Sequence, residues 1–542
     1  MRFGSSPVAS EVETSVLPQH VTDAGMSRPT GPTTVLDRQQ TIGRTHELSK
    51  PKRSKALALT GAVVFIAAIA VTAYFYLSRK NNAAINSIAV LPFQNASGDP
   101  NMEYLSDGIA ESLMNSLSQL PNLKVMSRNT AFRYKGKEQD AEEVGKELNV
   151  RAVLTGRLKQ VGDQIVISVS LDDARDSQHL WGAQYDRKTS DLLSMQREIA
   201  RDITGNLRLR LTGEEQERLI KDQTENTEAY LLYLKGRYHT ARYTKEDLNK
   251  GLDYFGQAIA KDPRYAPAYD GLAYYYLTAA DWFLPAKEAL PKAGDAARQA
   301  LELDDTLAEA HTSLAMVHWW FDWDWPAAET EFKRSLELKP NDARAHEFYG
   351  WYLITMGRDD SGVEENKRAQ ALDPLSVETN TLLGQSFYFV RRYDQAIGQL
   401  RNTLDMDQSY WLAHSFLGRS YQQQGKQAEA MVEFQRALQI ENAVAENRAM
   451  IGNAYALSGR RREAEKIIDE LKELSLRSYV PPYNIATVYA GLGDKDQAFI
   501  WLDRAYADRS FYMTWIKVDP QMDSLRPDPR FADLVRRMGL TQ

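Results

Sequence analysis

A chain of 542 residues is too long for a single hydrophobic core, so we expect at least two domains. Its 43% hydrophobic and 26% charged residues are ordinary values for folded proteins. The net charge of −7 gives no reason to expect a nucleic-acid partner, and the absence of cysteine excludes disulfides, cysteine-ligated metals and thiol catalysis.

The first 80 residues divide into a polar tail and an apolar run. Residues 1–50 are rich in Ser, Thr, Pro, Gly and Gln and show no sustained apolar period, which predicts a disordered tail. Residues 56–77 carry no charge, and at about 1.5 Å per residue they reach roughly 33 Å, enough to cross a bilayer. We therefore predict a basic flank and a transmembrane helix at 51–80, with a buried soluble helix as the alternative.

Basic residues around this run predict its orientation. Two basic residues follow the run, Arg79 and Lys80. Four precede it: Lys50, Lys52, Arg53 and Lys55. Cytoplasmic flanks of membrane helices are enriched in Lys and Arg. We therefore expect a single pass through the inner (cytoplasmic) membrane, with the N-terminus cytoplasmic and the C-terminal domains periplasmic or otherwise extracytoplasmic.

Residues 86–212 have the pattern of one α/β domain. Short apolar runs predict buried strands at 87–93 and 123–127. Amphipathic patterns predict helices near 102–119, 140–148 and 190–211.

Local signals in the same domain predict two finer features. Strict alternation of apolar and polar residues through 165–171 predicts a half-buried strand, and Gly162-Asp163 before it predicts a tight hairpin turn. Asp99 before Pro100 predicts a helix N-cap, with proline at the first helical position.

A 34-residue period runs through the C-terminal half, and its clearest markers are Gly350, Gly384, Gly418 and Gly452. In the unit that starts at Trp411, the residues that match the tetratricopeptide repeat (TPR) pattern are Leu417, Gly418, Tyr421, Ala430, Phe434 and Ala437. This resemblance implies a solenoid of paired antiparallel helices that holds a peptide or a protein. We predict about eight units over 225–508, longer turns near Asp281 and in WDWP (323–326), and a C-terminal cap at 509–542.

The α/β domain is similar to the TolB-amino-domain-like module, through SIAVLPFQN (87–95), YLSDGIAESLMNSL (104–117), AVLTGRL (152–158) and HLWGAQYDR (179–187). In bacterial membrane signalling proteins that module often lies between a transmembrane helix and TPRs, with a kinase, winged-helix or adenylate cyclase effector on the cytoplasmic side. This chain departs from that pattern, because residues 1–50 are too few for such an effector. The expected fold is mainly α: a TPR helical solenoid with an α/β module and one transmembrane helix.

Catalytic, cofactor and metal patterns are not found in the sequence. Neither a GxxxxGK[ST] loop nor a strand-linked GxGxxG occurs. His346-Glu347 begins a zinc-like HExxH motif, but Gly350 stands where the second histidine would be. His311, His346 and His414 share the fourth repeat position, which predicts a packing role. We expect a protein that is not an enzyme and has no cofactor or metal.

The concave groove implied by the repeats is the predicted binding site. Its inner positions include Trp319, Trp320, Trp351, Tyr388, Phe389 and Arg419. Trp, Tyr and Arg are the side chains most often found as binding hot spots. The alternative is that these side chains fill the gap made by the longer second and third units.

The expected function is binding of a peptide or protein segment by a membrane-anchored scaffold or sensory ectodomain in a bacterial envelope or signalling system. Its partners would be a protein ligand and the membrane, with no nucleic acid. One alternative is a remnant or partner subunit of a signalling kinase, adenylate cyclase or transcriptional regulator. Another is a small-molecule receptor that uses the α/β module.

Overall fold

The chain is described by a computed structural model over residues 84–137, 140–221, 224–441 and 445–540. The predicted tail at 1–50 and the predicted transmembrane helix at 56–77 lie outside these residues. Among the helices within the described ranges, none is long and apolar enough to cross a membrane.

The α/β module is built on one mixed sheet. Its strands in the described residues are β1 (Ser87–Val90), β2 (Gln94–Asn95), β3 (Lys124–Val125), β4 (Ala152–Val161), β5 (Gln164–Asp173) and β6 (Gln178–Lys188). The order across the sheet is β3-β1-β4-β5-β6, and β2 pairs with β4 off this path. β1 runs parallel to β3 and β4, whereas β4, β5 and β6 form an antiparallel meander.

Helices cover both faces of this sheet: α1 (Glu103–Ser118), α2 (Arg128–Phe132), α3 (Ala141–Leu148), α4 (Leu192–Asn206) and α5 (Gly213–Ile220). The larger core joins α1 and α4 to the inward side chains of β5, as in the packing of Leu113, Ile199 and Ile167. On the opposite face, Val144 of α3 packs near Val153 of β4.

Three local predictions in the module are confirmed. Burial along β5 alternates residue by residue, because successive side chains point to opposite faces of the sheet. Gly162 lies in the β4–β5 turn with a φ of +66°, a conformation that glycine adopts without steric cost. The Asp99 carboxylate accepts the N–H of Asn101 at 2.9 Å, with Pro100 at the first helical position.

Between residues 227 and 507 the described residues form eight antiparallel helix pairs, here called repeats 1 to 8. The pairs are α6 (Thr227–Thr240) with α7 (Lys245–Lys261), α8 (Ala266–Ala279) with α9 (Ala286–Leu303), α10 (Ala308–Val317) with α11 (Trp325–Leu338), α12 (Ala343–Thr355) with α13 (Asp359–Leu372), α14 (Val377–Phe389) with α15 (Tyr393–Met406), α16 (Trp411–Gln423) with α17 (Gln427–Ile440), α18 (Ala445–Leu457) with α19 (Arg461–Leu474), and α20 (Pro482–Leu492) with α21 (Lys495–Ala507). The helical solenoid predicted from the 34-residue period is therefore confirmed.

The recurring small residues mark close contacts between the two helices of a repeat. A Cβ on Gly350 would lie 2.7 Å from the carbonyl oxygen of Gly362 on the facing helix. A Cβ on Gly418 would lie 2.5 Å from the ring of Phe434. The period in the sequence therefore reports how closely the paired helices approach.

Histidines at the fourth repeat position tie the two helices together. In each case Nδ1 pairs with a glutamate of the second helix, at 2.5 Å for His311–Glu331, 2.6 Å for His346–Glu365 and 2.6 Å for His414–Glu433. Each Nε2 also meets a backbone carbonyl six residues earlier. Both ring nitrogens are thus used in structural hydrogen bonds, which confirms the predicted packing role.

The longer turn in repeat 2 contacts the segments that precede and follow repeat 8. It holds Asp281 at a φ of +55°. The Asp281 carboxylate accepts hydrogen bonds from Ser510 Oγ at 2.7 Å, Phe511 N at 2.6 Å and Tyr479 Oη at 2.8 Å. The predicted extra residues near Asp281 therefore join the two ends of the array.

A second irregular turn, in repeat 3, contributes to the same closure. A π-helical turn at His318–Asp322 leads to Trp323, which packs against the ring of Tyr506 in α21 with centroids 5.1 Å apart. The guanidinium of Arg509 lies 3.9 Å from the centre of the Trp323 ring. Repeats 2 and 3 are therefore in direct contact with the end of repeat 8.

Residues 510–525, here called the C-terminal arm, follow the last repeat. The arm contains 3-10 turns at Phe511–Trp515 and Pro520–Met522, and it leads into α22 (Pro529–Arg537). α22 packs on the last repeat, where the guanidinium of Arg530 lies 4.4 Å from the Phe499 ring centre. Beyond α22, the Met538 carbonyl accepts the indole N–H of Trp325 at 3.0 Å. The C-terminal segment thus extends well past the face of the last repeat.

Candidate functional site on the concave face

The concave face of the array can be traced from the arm that it holds. In α12, Trp351 packs against Trp515 of the arm with ring centroids 5.2 Å apart. Residues three and seven positions earlier, Phe348 and Arg344, lie on the same side of that helix because of its 3.6-residue turn. We call the part of the inner face that lies beneath the arm, around Trp351, the closed section. The part that continues beyond the arm, around Arg344, is called the open section.

Trp515 is the centre of the closed section, and only 4% of it is exposed. Its ring stacks on Phe389 with centroids 4.5 Å apart and an interplanar angle of 3°. It also meets the edges of Trp351 at 5.2 Å and Trp319 at 5.5 Å. Stacked and edge-to-face contacts are the favourable arrangements for aromatic rings, so the arm is seated by well-formed packing.

Polar contacts fix the arm at both sides of Trp515. Tyr512 donates its hydroxyl to Glu446 at 2.8 Å, and Tyr483 donates its hydroxyl to Asp519 at 3.0 Å. Further along, Arg391 binds both oxygens of Asp523, at 2.6 and 2.7 Å. These contacts hold the arm in one register across the face.

All six residues predicted to line a free groove are buried in the closed section: Trp319, Trp320, Trp351, Tyr388, Phe389 and Arg419. The prediction treated their inner face as open to a partner, whereas this protein's own arm covers it. Arg419 is also paired internally, donating to Glu446 at 2.6 Å. The structure thus corrects the location of the accessible surface, and binding of a partner by these six side chains stays a prediction that would require the arm to leave.

The open section keeps aromatic side chains within reach of solvent. Tyr243, after α6, is 45% exposed, and Tyr274, Phe348 and Tyr410 are partly exposed. The hydroxyl of Tyr274 donates to that of Tyr243 at 2.7 Å, and the Arg344 guanidinium lies 4.6 Å from the Tyr274 ring centre. Sequence reasoning did not single out these residues, because each belongs to a different repeat.

Two carboxylates share this section. Glu347 is 6% exposed, and Glu378 of the next repeat is partly exposed. Burial and then the charge of Glu378 raise the pKa of Glu347 well above its usual value. Burial and then the charge of Asp373 raise the pKa of Glu378 to about 7. The open section therefore combines phenol rings with carboxyl groups that are costly to ionise.

The module packs against the array through a buried ionic cluster. Arg237 of α6 donates to Glu111 of α1, and Arg128 donates to the same carboxylate at 2.9 Å. Burial acts to raise the pKa of Glu111, but attraction by the two guanidinium groups outweighs it, and the net pKa is lowered. A hydrogen bond from the Thr130 N–H to Asp373 at 2.9 Å adds a second point of attachment.

A small cavity of about 130 Å³ lies between the module and repeats 1 to 3. Its polar lining includes Ser112, Gln196, Tyr230 and Asp270. Tyr230 Oη lies 2.7 Å from both Ser112 Oγ and Gln196 Nε2, while Asp270 accepts from Ser313 at 2.7 Å. These polar groups already have partners within the protein.

A serine, a histidine and an aspartate meet on the exposed side of β5 and β6. His179 Nδ1 lies 3.2 Å from Ser170 Oγ and 3.0 Å from Asp172. Nucleophilic catalysis requires the serine and the carboxylate to use different ring nitrogens, so that the proton can pass through the imidazole. Because both contact the same nitrogen, this cluster lacks the geometry of a catalytic triad.

Family comparisons agree with this division of the chain. A family model for tetratricopeptide repeats matches residues 381–445, inside the array. This part of the array therefore matches the tetratricopeptide repeat family. A second model, for the second domain of HilA/YgeH-like transcriptional regulators, matches residues 83–202, which hold the α/β module. The resemblance of this module to the TolB-amino-domain-like family stays a prediction.

Two curated relatives are similar to parts of this chain. It is 34% identical over 236 residues to a Rhizobium meliloti protein provisionally named adenylate cyclase 3, covering 43% of this chain and 40% of that protein. It is 26% identical over 153 residues to the transcriptional regulator HilA of Salmonella typhimurium, covering 28% of each. The chain thus spans less than half the length of the curated relatives it matches.

Solved structures show similar helical repeats. A structure from a study of Pseudomonas aeruginosa pilF is 20% identical and covers 40% of this chain and 94% of that chain, with a TM-score of 0.31. A TPR protein from Parabacteroides merdae is 14% identical, and the match covers 50% of this chain and 99% of that chain, with a TM-score of 0.36. These scores are low, so the assignment of the fold rests on the helix pairs and the repeat period.

Proposed function

We propose that the chain is a membrane-anchored scaffold that binds an extended segment of a partner protein in the open section of its concave face. The observation that supports this is the exposure of Tyr243, Tyr274, Phe348 and Tyr410 along a face that is otherwise filled by the arm. Tyrosine side chains bury a large area at little entropic cost, and solenoid faces suit segments that become ordered on binding. In this proposal the chain performs no catalysis.

Selection of displayed random peptides on the full-length chain tests this function. We expect enriched sequences whose binding is lost in Tyr274→Ala, because that change removes a ring from the middle of the open section. Leu476→Ala is the matched control, since Leu476 is 84% exposed and lies far along the chain, between repeats 7 and 8. Enrichment that is equal on the wild type and on Tyr274→Ala would contradict the proposed surface.

The membrane anchor is a separate part of the proposal. It rests on the uncharged run at 56–77 and on the excess of basic residues before it. Reporter fusions after residue 50 and at the C-terminus test it. We expect cytoplasmic activity from the first fusion and extracytoplasmic activity from the second, in a bacterial host. Two fusions reporting the same side would refute the single pass.

A second candidate function is favoured by the matches to regulators. The module matches the HilA-like second domain, and 236 residues of the chain align at 34% identity with a protein named as an adenylate cyclase. The chain would then be a sensory or regulatory part that works with a separate effector. A two-hybrid interaction with an effector encoded beside it would support this function, and no interaction with any adjacent effector would argue against it.

The small-molecule alternative has a structural candidate in the cavity of about 130 Å³ between the module and repeats 1 to 3. A cavity of about this size has space for a ligand of a few heavy atoms. A metabolite that raises the melting temperature of the wild type, but not of Tyr230→Phe, would support this use.

A further inference from the structure

We propose that the open section binds a positively charged side chain, an arginine or a lysine, presented by the partner segment. This inference deepens the proposed function and rests on it. It follows from three features of the section: a deeply buried carboxylate with no cation within 4.0 Å among the described residues, a second carboxylate on the neighbouring repeat, and several phenol rings on the same face.

Glu347 is the deeply buried carboxylate. It lies one turn before Trp351 on the inner side of α12, so it belongs to the face that the arm covers further along. Only 6% of it is exposed. Among the described residues, no Lys, Arg or His nitrogen lies within 4.0 Å of Glu347 or of Glu378. A buried carboxylate is normally paired, so this pair lacks the cation that would usually accompany it.

Arg344 is the nearest cationic group on the same helix face, and it is engaged elsewhere. Its guanidinium stacks 4.6 Å from the Tyr274 ring centre, and Nη2 contacts the sulfur of Met316 at 3.7 Å. It therefore lowers the repulsion between the carboxylates from a distance without forming an ion pair with either of them. Its position over Tyr274 also shows that the rings of this section accept a guanidinium.

The phenol rings complete the site for a cation. The hydroxyls of Tyr243 and Tyr274 meet at 2.7 Å. Burial raises the pKa of Tyr243, Tyr274 and Tyr410, and the charge of Glu378 adds to each of these shifts, so all three rings experience the field of this carboxylate. Aromatic rings beside carboxylates attract a cation through both the ring face and the ionic charge. A guanidinium has donors on two edges and can meet Glu347 and Glu378 together, whereas a neutral or acidic side chain leaves both carboxyl groups as they are.

Protonation links the site to its ligand. The charged groups that face the pair are Arg344 on α12, Asp373 before α14, and the two carboxyls themselves. The Thr379 hydroxyl donates to Asp373 at 3.3 Å. Burial and mutual repulsion favour the protonated forms when the site is empty. A bound guanidinium favours the ionised forms, so binding should release protons and should tighten as the pH rises from about 6 to about 8.

Fluorescence anisotropy with three labelled peptides tests the inference on the full-length chain. The peptides share a Gly–Ser backbone and carry two arginines, two glutamines or two glutamates. Because a charge-assisted hydrogen bond is worth about tenfold in affinity or more, we expect the arginine peptide to bind at least about tenfold more tightly than the glutamine peptide. Glu347→Gln and Glu378→Gln should each remove most of that difference. Both variants should fold, since the fold already favours the uncharged form.

Glu429→Gln is the matched control, because Glu429 is exposed on α17 of repeat 6. It should leave binding of the arginine peptide unchanged. Equal binding of the arginine and glutamine peptides, or unchanged binding in both glutamate variants, would overturn the inference. If the glutamine or the glutamate peptide binds most tightly, and if Tyr274→Ala abolishes that binding, the preference for a cation would be wrong. The proposal that the open section binds a peptide would still stand. Failure of all three peptides would count against the proposed function as well.

Discussion

Trp515→Ala tests whether the arm is a structural part of the concave face. Trp515 is 4% exposed and touches the rings of Phe389, Trp351 and Trp319. Truncating a buried tryptophan to alanine costs about 3–5 kcal/mol, from lost burial plus the cavity that remains. With three aromatic contacts removed, we expect a loss near the upper end, about 4–5 kcal/mol.

Urea unfolding followed by far-ultraviolet circular dichroism measures this loss without relying on tryptophan fluorescence. Trp282→Ala is the matched control, because Trp282 is 41% exposed and its ring packs on that of the adjacent Phe283. It should cost under about 1 kcal/mol. A loss below about 1 kcal/mol for Trp515→Ala as well would refute the seating of the arm on Phe389 and Trp351.

Three further predictions concern the closure, the arm and the repeat spacing. Burial raises the pKa of Asp281 to about 6, so the folded state holds this proton more tightly than the unfolded chain does. The stability that this adds is complete below about pH 4 and is lost as the pH rises through about 6, a change of roughly 3 kcal/mol. Asp281→Asn should abolish that part of the pH dependence in denaturant titrations at pH 4 to 7, and an unchanged slope would contradict it. Arg391→Ala should cost only about 0–1 kcal/mol despite its two short contacts with Asp523, since both side chains are 40–45% exposed; a loss equal to that of Trp515→Ala would show that charge, not aromatic packing, holds the arm. Gly350→Ala should destabilise by about 1–3 kcal/mol, because its Cβ would approach a backbone oxygen of α13, whereas Gly398→Ala has open space and should be neutral or stabilising in thermal melts.

Much of the fold could be predicted because its signals are local and repeated. The spacing from Gly350 to Gly452 records helix pairs that recur every 34 residues, and alternation through 165–171 records a half-buried strand. Asp99 before Pro100 marks a helix start in the same direct way. Each of these patterns needs only neighbouring residues to be interpreted.

The path of the arm could not be predicted, because its contacts join residues far apart in the sequence. Trp515 meets Phe389 and Trp319 through 3-10 turns that carry no helical or strand period. The one available signal was the aromatic cluster Phe511, Tyr512 and Trp515 directly after the last repeat. Its position directly after the last repeat predicts an end cap, which leaves the aromatic residues of the groove free for an outside partner.

The open section was missed for a related reason. Tyr243 and Tyr274 lie on different repeats, and their hydroxyls meet only in the folded array. In the sequence, Glu347 belongs only to the incomplete metal motif that begins at His346. That motif gives no information about which residues surround Glu347 in space. Assigning each residue to its position within the repeat would have placed Glu347 on the inner face.

Hydroxyl-radical footprinting of the full-length chain tests the division of the concave face most directly, because it reports the exposure of individual aromatic side chains. We predict rapid oxidation of Tyr243 and Tyr274 in the open section, and protection of Trp351 and Phe389 beneath the arm. In Trp515→Ala, Trp351 and Phe389 should become reactive. Oxidation of Trp351 and Phe389 in the wild type at the rate of Tyr243 would contradict the account, since it would mean that the arm does not occupy the groove.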